Sequence, residues 1–428
     1  MLRRAFLSPL FRFFRFGILP YCALIATLIV ALLALPAGAH GVNPALTSLT
    51  AEAEPTLAAA LEAAWSLTAR SRSGANRQAE LDAREQAANS VLSGIPSVML
   101  SQRSDRLNAN RGLRNDEVGL GFPLWRASVR AATATQIDSD RAVLLADDLS
   151  SKLKLAAELR DLVASAALNR IERDLAEHKH VDARVLLQDT QRRVKSGERP
   201  RIDALQASAA ERLAAVQLAQ ADAAQVVLRA QWRALTGLVQ LSSPQELVIT
   251  PTAEHPRLLA ANARVRAAQT RLALTEVDKR DAPEVGVGLT RERALISDAA
   301  QNALRLSLRI PFGSVNRNAP RLSAARAELD TAEADRDAVQ RQVQADFHAA
   351  QAGLLVSQVT QSLAAERAAL SVEAQALVAK AYQLGESDLP TRLRTDHEGF
   401  DAQLALARAR AETQRAIARL NQSSGQFP

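Results

Sequence analysis

Cysteine is almost absent from this sequence. The single cysteine, Cys22, lies in an apolar stretch near the N-terminus, and no other cysteine follows it. A lone cysteine forms no disulfide within the chain and builds no cysteine-based zinc site. The sequence therefore excludes protein classes that depend on internal disulfides, on cysteine-bound metals or on a cysteine nucleophile after residue 39.

Aromatic residues are also scarce, and long apolar runs are missing after residue 35. Phe, Trp and Tyr together make up 4% of the chain, whereas Ala, Leu, Arg, Gln and Glu dominate it. This composition is typical of long helices and coiled coils rather than of a compact core. A transmembrane helix needs about 20 apolar residues. If the chain after residue 39 enters a membrane, we therefore expect it to do so as β-strands.

The N-terminal segment 1–39 has the three parts of a secretory signal peptide. Four arginines precede an apolar run from Cys22 to Leu35, and Ala37-Gly38-Ala39 follows it; the arginines are Arg3, Arg4, Arg12 and Arg15. This order predicts export and cleavage after Ala39, with a retained membrane anchor as the alternative. The residues before Cys22 lack the small side chains of a lipoprotein signal, so we predict no lipidation.

The net charge is small once this segment is removed. The whole chain carries a formal charge of +7, and the four leader arginines account for most of it, which leaves about +3. Basic and acidic residues are interspersed, as on solvated helix faces. We therefore predict no nucleic-acid partner.

Sequence landmarks recur at a nearly constant separation. Pro96-Ser-Val-Met-Leu corresponds to Pro283-Glu-Val-Gly-Val, and Pro123 corresponds to Pro311. Gly197-Glu198 is answered by Gly385-Glu386. Three collinear matches, whose offsets differ by no more than one position, indicate a duplicated unit. We therefore predict a signal peptide over 1–39, a first repeat over 40–237 and a second repeat over 238–428.

Each repeat begins with two runs in which apolar residues alternate with polar residues or glycine. The alternating residues are Val98 and Leu100; Val118, Leu120 and Phe122; Val285, Val287 and Leu289; and Leu304, Leu306, Leu308 and Ile310. Period two predicts strands with one apolar face. The polar stretches Leu107–Asp116 and Glu292–Asn302 are predicted hairpin loops. A soluble sandwich is the alternative, but in lipid four strands leave open edges, so a membrane barrel would be shared between chains.

Very long helices are predicted after each strand pair. Trp125 to Ser196 contains neither Gly nor Pro, a stretch of roughly 108 Å as helix at about 1.5 Å per residue. Arg321 to Leu384 contains only Gly353. Beyond Gly197, a stripe spaced by threes and fours predicts a coiled coil: Ile202, Leu205, Ala209, Leu213, Val216, Ala219, Ala223, Val227, Ala230 and Ala234.

These features together resemble the TolC family of outer-membrane efflux proteins. The resemblance covers nearly the whole chain after residue 39, and it is most specific at the two Gly-centred turns in 193–207 and 381–386. It implies a mostly α protein with a small membrane β part. Four strands and four long helices per chain would build, in a homotrimer, a 12-stranded β-barrel in the lipid of a Gram-negative outer membrane and a 12-helix α-barrel through the periplasm.

The resemblance also implies partners and site residues. The helical tip would dock on a periplasmic adaptor, which joins an inner-membrane pump, expected to be of the RND type. The implied docking residues are Gly197, Glu198, Ile202, Leu205, Gly385, Glu386, Leu389 and Leu393. The implied gate residues are Asp203, Tyr382, Arg392 and Arg394, which would make the aperture basic. Segments 51–95 and 247–282, with the tail near Gly425, would form a belt around the helices.

The cargo is less well defined by the sequence. Ile310-Pro311-Phe312, the later Asn316-Arg317-Asn318 and His255-Pro256 resemble the CzcC-like branch, which implies heavy-metal cation efflux. Multidrug or type I protein export is the alternative. A periplasmic adaptor or a soluble coiled-coil scaffold fits less well, because there are two hairpins with strands before each. We predict no catalysis, no cofactor and no bound metal.

Overall fold

A computed structural model describes residues 55–243, 245–250, 254–313 and 315–428. The predicted signal peptide, its cleavage site and Cys22 lie outside the described residues. The described part is mostly helical with one four-stranded sheet, which confirms the predicted fold class. Among the described residues, none of the helices combines the length and hydropathy that are needed to cross a lipid bilayer.

A similar order of elements occurs twice along the chain: two helices at the start of the first copy and one at the start of the second, then two strands, a very long helix and a shorter one. The helices are α1 (Leu57–Leu67), α2 (Ala69–Asn89), α3 (Ala127–Lys195), α4 (Arg201–Thr236), α5 (Pro256–Val277), α6 (Val315–Leu384) and α7 (Leu389–Ser423). The strands are β1 (Ser97–Ser104), β2 (Arg114–Pro123), β3 (Glu284–Arg293) and β4 (Gln301–Arg309).

The four strands form one antiparallel sheet in sequence order, β1-β2-β3-β4. The pairing of β2 with β3 joins the two repeats, because α3, α4 and α5 all lie between these strands along the chain. Strand pairing reaches further into the predicted loops than expected, since Arg114 pairs with Arg293. β1 and β4 are the two edges of this sheet.

The apolar side chains of the sheet lie on one face and in register. One row across all four strands is Leu100, Val118, Leu289 and Leu304; a second row is Val98, Leu120, Val287 and Leu306. A third row holds Phe122, Val285 and Leu308. Side chains of one face are two residues apart, so successive rows are about 7 Å apart. The next row toward the hairpin turns is polar on every strand.

The two long helices have nearly the predicted extents. α3 has 69 residues and α6 has 70, each roughly 100 Å at about 1.5 Å per residue. α6 begins at Val315 rather than at Arg321, with Pro320 inside it. Proline near a helix start removes few intrahelical hydrogen bonds, so the helix extends past it.

Each long helix folds back on the shorter helix that follows, α3 on α4 and α6 on α7. α3 also packs on α5 and α7, whereas the backbones of α4 and α6 stay apart in the described chain. On α4 the side that faces the chain carries Ala207, Ala214 and Trp232. The stripe predicted as a coiled-coil seam lies on the other side, and all ten of its residues are exposed.

The main apolar cluster lies around the middle of α3. Leu155, Leu159 and Val163 pack with Ala60 and Leu61 of α1 and with Trp232 of α4. Phe427 and Leu241 cover the same cluster. The N-terminal helix, the segment after α4 and the C-terminal tail therefore converge on one level of the hairpins. Leu241 lies outside the predicted belt segment 247–282, so the belt stays a prediction.

A buried ion pair joins α3 to the segment after α4 and to the C-terminal end of the chain. Arg160 of α3 is 5% exposed and makes a two-point contact with Glu246, at 2.8 Å and 3.0 Å. Its Nη1 also donates to the side chain of Gln422 and to the carbonyl oxygen of Gln426. Asn421 is fully buried and donates to Glu246 Oε2 at 2.9 Å. Every charge in this network therefore has a partner from another segment.

Gly425 ends the chain's last turn at the position that matches Gly237 in the first repeat. Its φ is +81°, and an added Cβ would lie 2.8 Å from Pro256 Cδ and 3.0 Å from His255 Cδ2. We expect Gly425→Ala to lower the free energy of unfolding by about 1–3 kcal/mol through backbone strain and this clash. Gly74→Ala is the matched control, because Gly74 lies inside α2 with open space around it and should gain about 0.5–1 kcal/mol. Denaturant unfolding measures both, and equal effects would contradict the placement of Gly425.

His255 caps the start of α5. Its Nδ1 accepts a hydrogen bond from the backbone N–H of Arg257 at 3.1 Å. Burial lowers its pKa from 6.5, the charge of Arg257 lowers it further, and Asp346 opposes the shift. The folded chain disfavours the charged imidazole. The free energy of unfolding is therefore highest above pH 6.5, where the imidazole is neutral in both states, and it decreases as pH falls through the lowered pKa.

We therefore expect the wild type to lose more stability between pH 7.5 and pH 5 than His255→Asn. Asparagine also caps helices but does not titrate. Urea unfolding of both proteins at the two pH values measures the difference, and parallel pH dependences would contradict a lowered His255 pKa.

Candidate functional site

The two hairpin reversals have the same backbone geometry. Gly197 follows α3 with φ +80°, and Gly385 follows α6 with φ +82°. Glu198 N donates to Arg193 O at 2.9 Å, and Glu386 N donates to Ala381 O at 2.9 Å. These six-to-one bonds, with a left-handed glycine, define a Schellman turn. The sequence expectation of a sharp Gly-centred reversal is thus reproduced at both ends.

The ends of the two hairpins pack on each other through a small apolar cluster, here called the tip cluster. It consists of buried Ala207, Tyr382 and Leu389 with partly buried Leu186, Leu187 and Leu393. Its members come from α3, α4, α6 and α7. All four helix ends therefore meet at this cluster.

Two arginines of the first hairpin lie over the ring of Tyr382. The guanidinium carbon of Arg199 is 5.0 Å from the ring centroid and that of Arg193 is 5.6 Å from it. Both are within the range of a cation–π contact. Arg199 Nη2 also donates to Ser387 O at 3.3 Å, and the hydroxyl of Tyr382 lies 3.5 Å from Thr190 Oγ1. Tyr382 is thus held by the opposite hairpin on its face and at its hydroxyl.

Sequence reasoning placed Arg193 and Arg199 in the first tip turn without their contact to Tyr382, and it missed Thr190 altogether. All three come from the first repeat, while their common contact Tyr382 belongs to the second. The cation–π geometry depends on how the repeats pack, which no local pattern reveals. The Arg-rich stretch around Gly197 was the one signal available in the sequence.

The predicted docking residues separate into exposed and buried groups. Gly197, Glu198, Gly385 and Glu386 are exposed at the reversals. Ile202 and Leu205 are 54% and 58% exposed on α4. Leu389 is fully buried and Leu393 is partly buried in the tip cluster. In this structure the last two leucines therefore join the hairpins, and the exposed six are the ones available to another protein.

The predicted gate residues also differ from one another in their surroundings. Tyr382 and Asp203 are buried, whereas Arg394 is exposed. Arg392 Nε donates to Asp396 Oδ2 at 2.7 Å, so its charge is paired within α7. Burial raises the pKa of Asp396, and the charge of Asp182 raises it further, although Arg392 acts in the opposite direction. Of the two predicted gate arginines, Arg394 is the more accessible.

A half-open cavity of about 620 Å³ lies next to the tip cluster, between α3, α4, α6 and α7. Leu186, Leu393 and Phe400 supply apolar walls, and Asp182 and Asp396 supply acidic groups. Lys179 Nζ lies 5.8 Å from the centroid of the Phe400 ring. The cavity shows that the helices separate slightly above the tip.

The described residues include no cluster of three His, Cys, Asp or Glu side chains arranged to hold a metal ion. His178 and Asp182 both line the cavity next to the tip cluster. His255 has a structural role as a helix cap. The Ile310–Asn318 motif is interrupted at Ser314, which lies outside the described residues.

The architecture defines a class of fold: a four-stranded meander continued by two hairpins of roughly 100 Å. This is a TolC-like fold, as the comparison with solved structures shows. No protein-family model matches the sequence. No curated protein matches it either.

Several solved outer-membrane proteins have this fold. The outer membrane protein VceC from Vibrio cholerae superposes with a TM-score of 0.67 at 16% identity, over 87% of this chain and 97% of VceC. CusC superposes with a TM-score of 0.70 at 13% identity, over 91% of this chain and 99% of CusC. The CmeC outer membrane channel of Campylobacter jejuni superposes with a TM-score of 0.69 at 11% identity, over 92% of this chain and 93% of CmeC. At these identities the similarity shows the fold.

Proposed function

We propose that this protein is the outer-membrane exit duct of an efflux system. Three copies form one channel, exported to the outer membrane by the predicted signal peptide over 1–39. The single observation that carries the proposal is the in-register apolar band on one face of a sheet that is continuous with two very long hairpins. Several solved proteins with this fold are described as outer-membrane channels, which supports the same assignment.

The sheet supports a shared barrel. β1 and β4 are edge strands, and unpaired backbone groups at an open edge are not tolerated in lipid. Because the four strands alternate in direction, β4 of one copy runs antiparallel to β1 of the next copy and can pair with it. Three copies supply twelve strands, a number within the range of bacterial outer-membrane barrels.

The helices support the same assembly. The exposed stripe on α4 includes Leu213 and Val227, and α6 has an exposed stripe that includes Val359, Leu363 and Leu370. The backbones of α4 and α6 do not approach each other within the described chain. In a ring of three chains, α4 of one copy packs on α6 of its neighbour and covers both stripes from Leu213 onward, which leaves Ile202 and Leu205 exposed at the tip.

In this proposal the chain is a passive conduit, duplicated over 40–237 and 238–428. A periplasmic adaptor binds the exposed residues of the reversals together with Ile202 and Leu205, and an RND-type inner-membrane pump supplies the energy. Asp203, Tyr382, Arg392 and Arg394 surround the gate. The Arg193 and Arg199 contacts to Tyr382 hold the hairpin ends together in the closed tip.

Heavy-metal cations are the first cargo candidate because of the CzcC-like motif, and drugs or exported proteins are the alternative. The test is a deletion strain complemented by the wild-type gene and grown on a panel of Zn, Co, Cd, Cu and Ni beside a panel of drugs. If the deletion strain is sensitive to metals and the wild-type gene restores normal growth, the metal assignment is supported. Sensitivity to drugs alone contradicts it, and normal growth on both panels contradicts the efflux function.

A further inference from the structure

The polar edge of the sheet carries three arginines on the same face as the apolar band. Directly beyond Val118 and Leu289, β2 and β3 present Asp116 opposite Arg291. One row further, Arg114 lies opposite Arg293. The apolar face therefore ends in two successive rows that together hold three arginines and one aspartate. The three arginines are here called the basic row, and this end of the sheet is the one farther from the helices.

Two like charges directly opposite each other in a sheet are destabilising on their own. Arg114 and Arg291 are exposed, and among the described residues no ion pair involves Arg114, Arg291 or Arg293. The nearby acid Asp116 accepts a hydrogen bond from Gln102 Nε2 at 2.8 Å. Glu292 projects from the opposite face, because neighbouring residues of a strand alternate. Arg293 is half-buried, and its Nε donates to Gly112 O at 3.3 Å. The other guanidinium N–H groups of the basic row are available as donors, and its positive charge exceeds the negative charge of Asp116.

Arg291 lies at the height of a lipid headgroup layer, and Arg114 and Arg293 lie one row beyond it. Arg291 is two residues beyond Leu289 and Arg293 is four, about 7 Å and about 14 Å along the strand, and less along the membrane normal in a tilted strand. The headgroup layer of a bilayer extends for about 5–7 Å on each side of the hydrocarbon core. Long arginine side chains also reach back toward the apolar boundary.

We propose that Arg114, Arg291 and Arg293 form a binding site for the phosphate groups of an anionic lipid in the outer leaflet. The proposal rests on the proposed function, because that function places the hairpin-turn end of the sheet at the outer surface. Guanidinium groups bind phosphate oxygens through paired, charge-assisted hydrogen bonds. The row faces away from the duct, so lipid rather than cargo is its ligand.

The opposite face of the same sheet provides a matched control. Arg103, Arg305 and Arg309 lie on that face by strand alternation. Arg305 pairs with Glu117 at 2.5 Å and Arg309 approaches Glu284 at 3.9 Å. Replacing these three arginines removes as much charge from the sheet as replacing the basic row, but from the duct side.

The experiment uses the full-length mature protein. Insertion is first measured in phosphatidylcholine vesicles, which are neutral overall. Binding is then titrated in neutral detergent with lipid A, with phosphate-free lipid A and with inorganic phosphate. We expect lipid A to bind at least tenfold more tightly than its phosphate-free form. The R114Q/R291Q/R293Q variant should lose that difference, whereas R114K/R291K/R293K and R103Q/R305Q/R309Q should keep most of it.

Lipid A affinity that is equal in the wild type and in R114Q/R291Q/R293Q would overturn the lipid site. Complete competition by millimolar inorganic phosphate would also overturn it, because the ligand would then be a free anion. If the wild type fails to insert into neutral vesicles, the proposed function fails. If the wild type inserts but binds lipid A and phosphate-free lipid A equally well, the lipid site is overturned and the proposed function is not.

Discussion

Replacing both tip glycines by proline, Gly197→Pro with Gly385→Pro, should reduce export to the level of the deletion strain. Gly197 has φ +80° and Gly385 has φ +82°. Proline holds φ at about −65°, which excludes that conformation. Gly197 N and Gly385 N also donate hydrogen bonds to Val194 O and Tyr382 O, and proline has no N–H to replace them. Each reversal must therefore change direction, which separates the exposed reversal residues from the tip cluster.

The barrel should still assemble in this double variant, because the sheet lies roughly 100 Å from the reversals. Gly197→Asn with Gly385→Asn is the matched control, since asparagine adopts the left-handed conformation and keeps its N–H. We expect near-normal export from the asparagine pair and none from the proline pair. Normal export by the proline pair would contradict the placement of the docking tip at these turns.

Arg160→Ala should be among the most destabilising single substitutions in the helical region. It leaves Glu246 buried without its cation, and Asn421 and Gln422 lose the order that the network imposes. Removing one partner of a buried ion pair costs about 3–5 kcal/mol. Denaturant unfolding followed by circular dichroism measures the loss.

Arg173→Ala is the control for loss of an arginine ion pair on the same helix. Arg173 pairs with Asp222 at 2.9 Å, but the carboxylate side chain is 52% exposed. A solvent-exposed pair is screened by water and contributes little to the free energy of unfolding, so Arg173→Ala should cost much less than Arg160→Ala. Similar losses for the two variants would contradict the view that the Arg160 network is a buried anchor of the belt segments.

Most of the fold could be predicted because its signals are local and repeated. Alternation over Leu304–Ile310 identifies a strand from its own residues, and the absence of Gly and Pro over 125–196 identifies the long helix. The glycines at 197 and 385 mark reversals because few other residues adopt a positive φ. Strand and helix ends shifted by a few residues, as at Val315, where pairing or packing extends an element beyond its pattern.

The sequence was less informative wherever two segments had to meet. Leu389 and Leu393 have the pattern of surface leucines near a turn. They nevertheless pack between the hairpins, because side chains of α3 and α4 from the first repeat cover them. The stripe from Ile202 to Ala234 is apolar and periodic, as the pattern predicts, but its residues are exposed in the described chain. Glu246 of Arg160's network lies in a segment without periodicity, so no pattern could have paired it.

The most direct test of a shared barrel is disulfide trapping between edge strands in isolated outer membranes. Cys22 lies in the segment predicted to be removed, so introduced cysteines would be the only thiols. Ser101→Cys on β1 is combined in turn with Gln301→Cys, Ala303→Cys and Arg305→Cys on β4, which covers different strand offsets. The account predicts that at least one pair oxidises to covalent dimers and trimers with no larger species. Single chains with all three pairs, or a ladder that continues beyond the trimer, would contradict it.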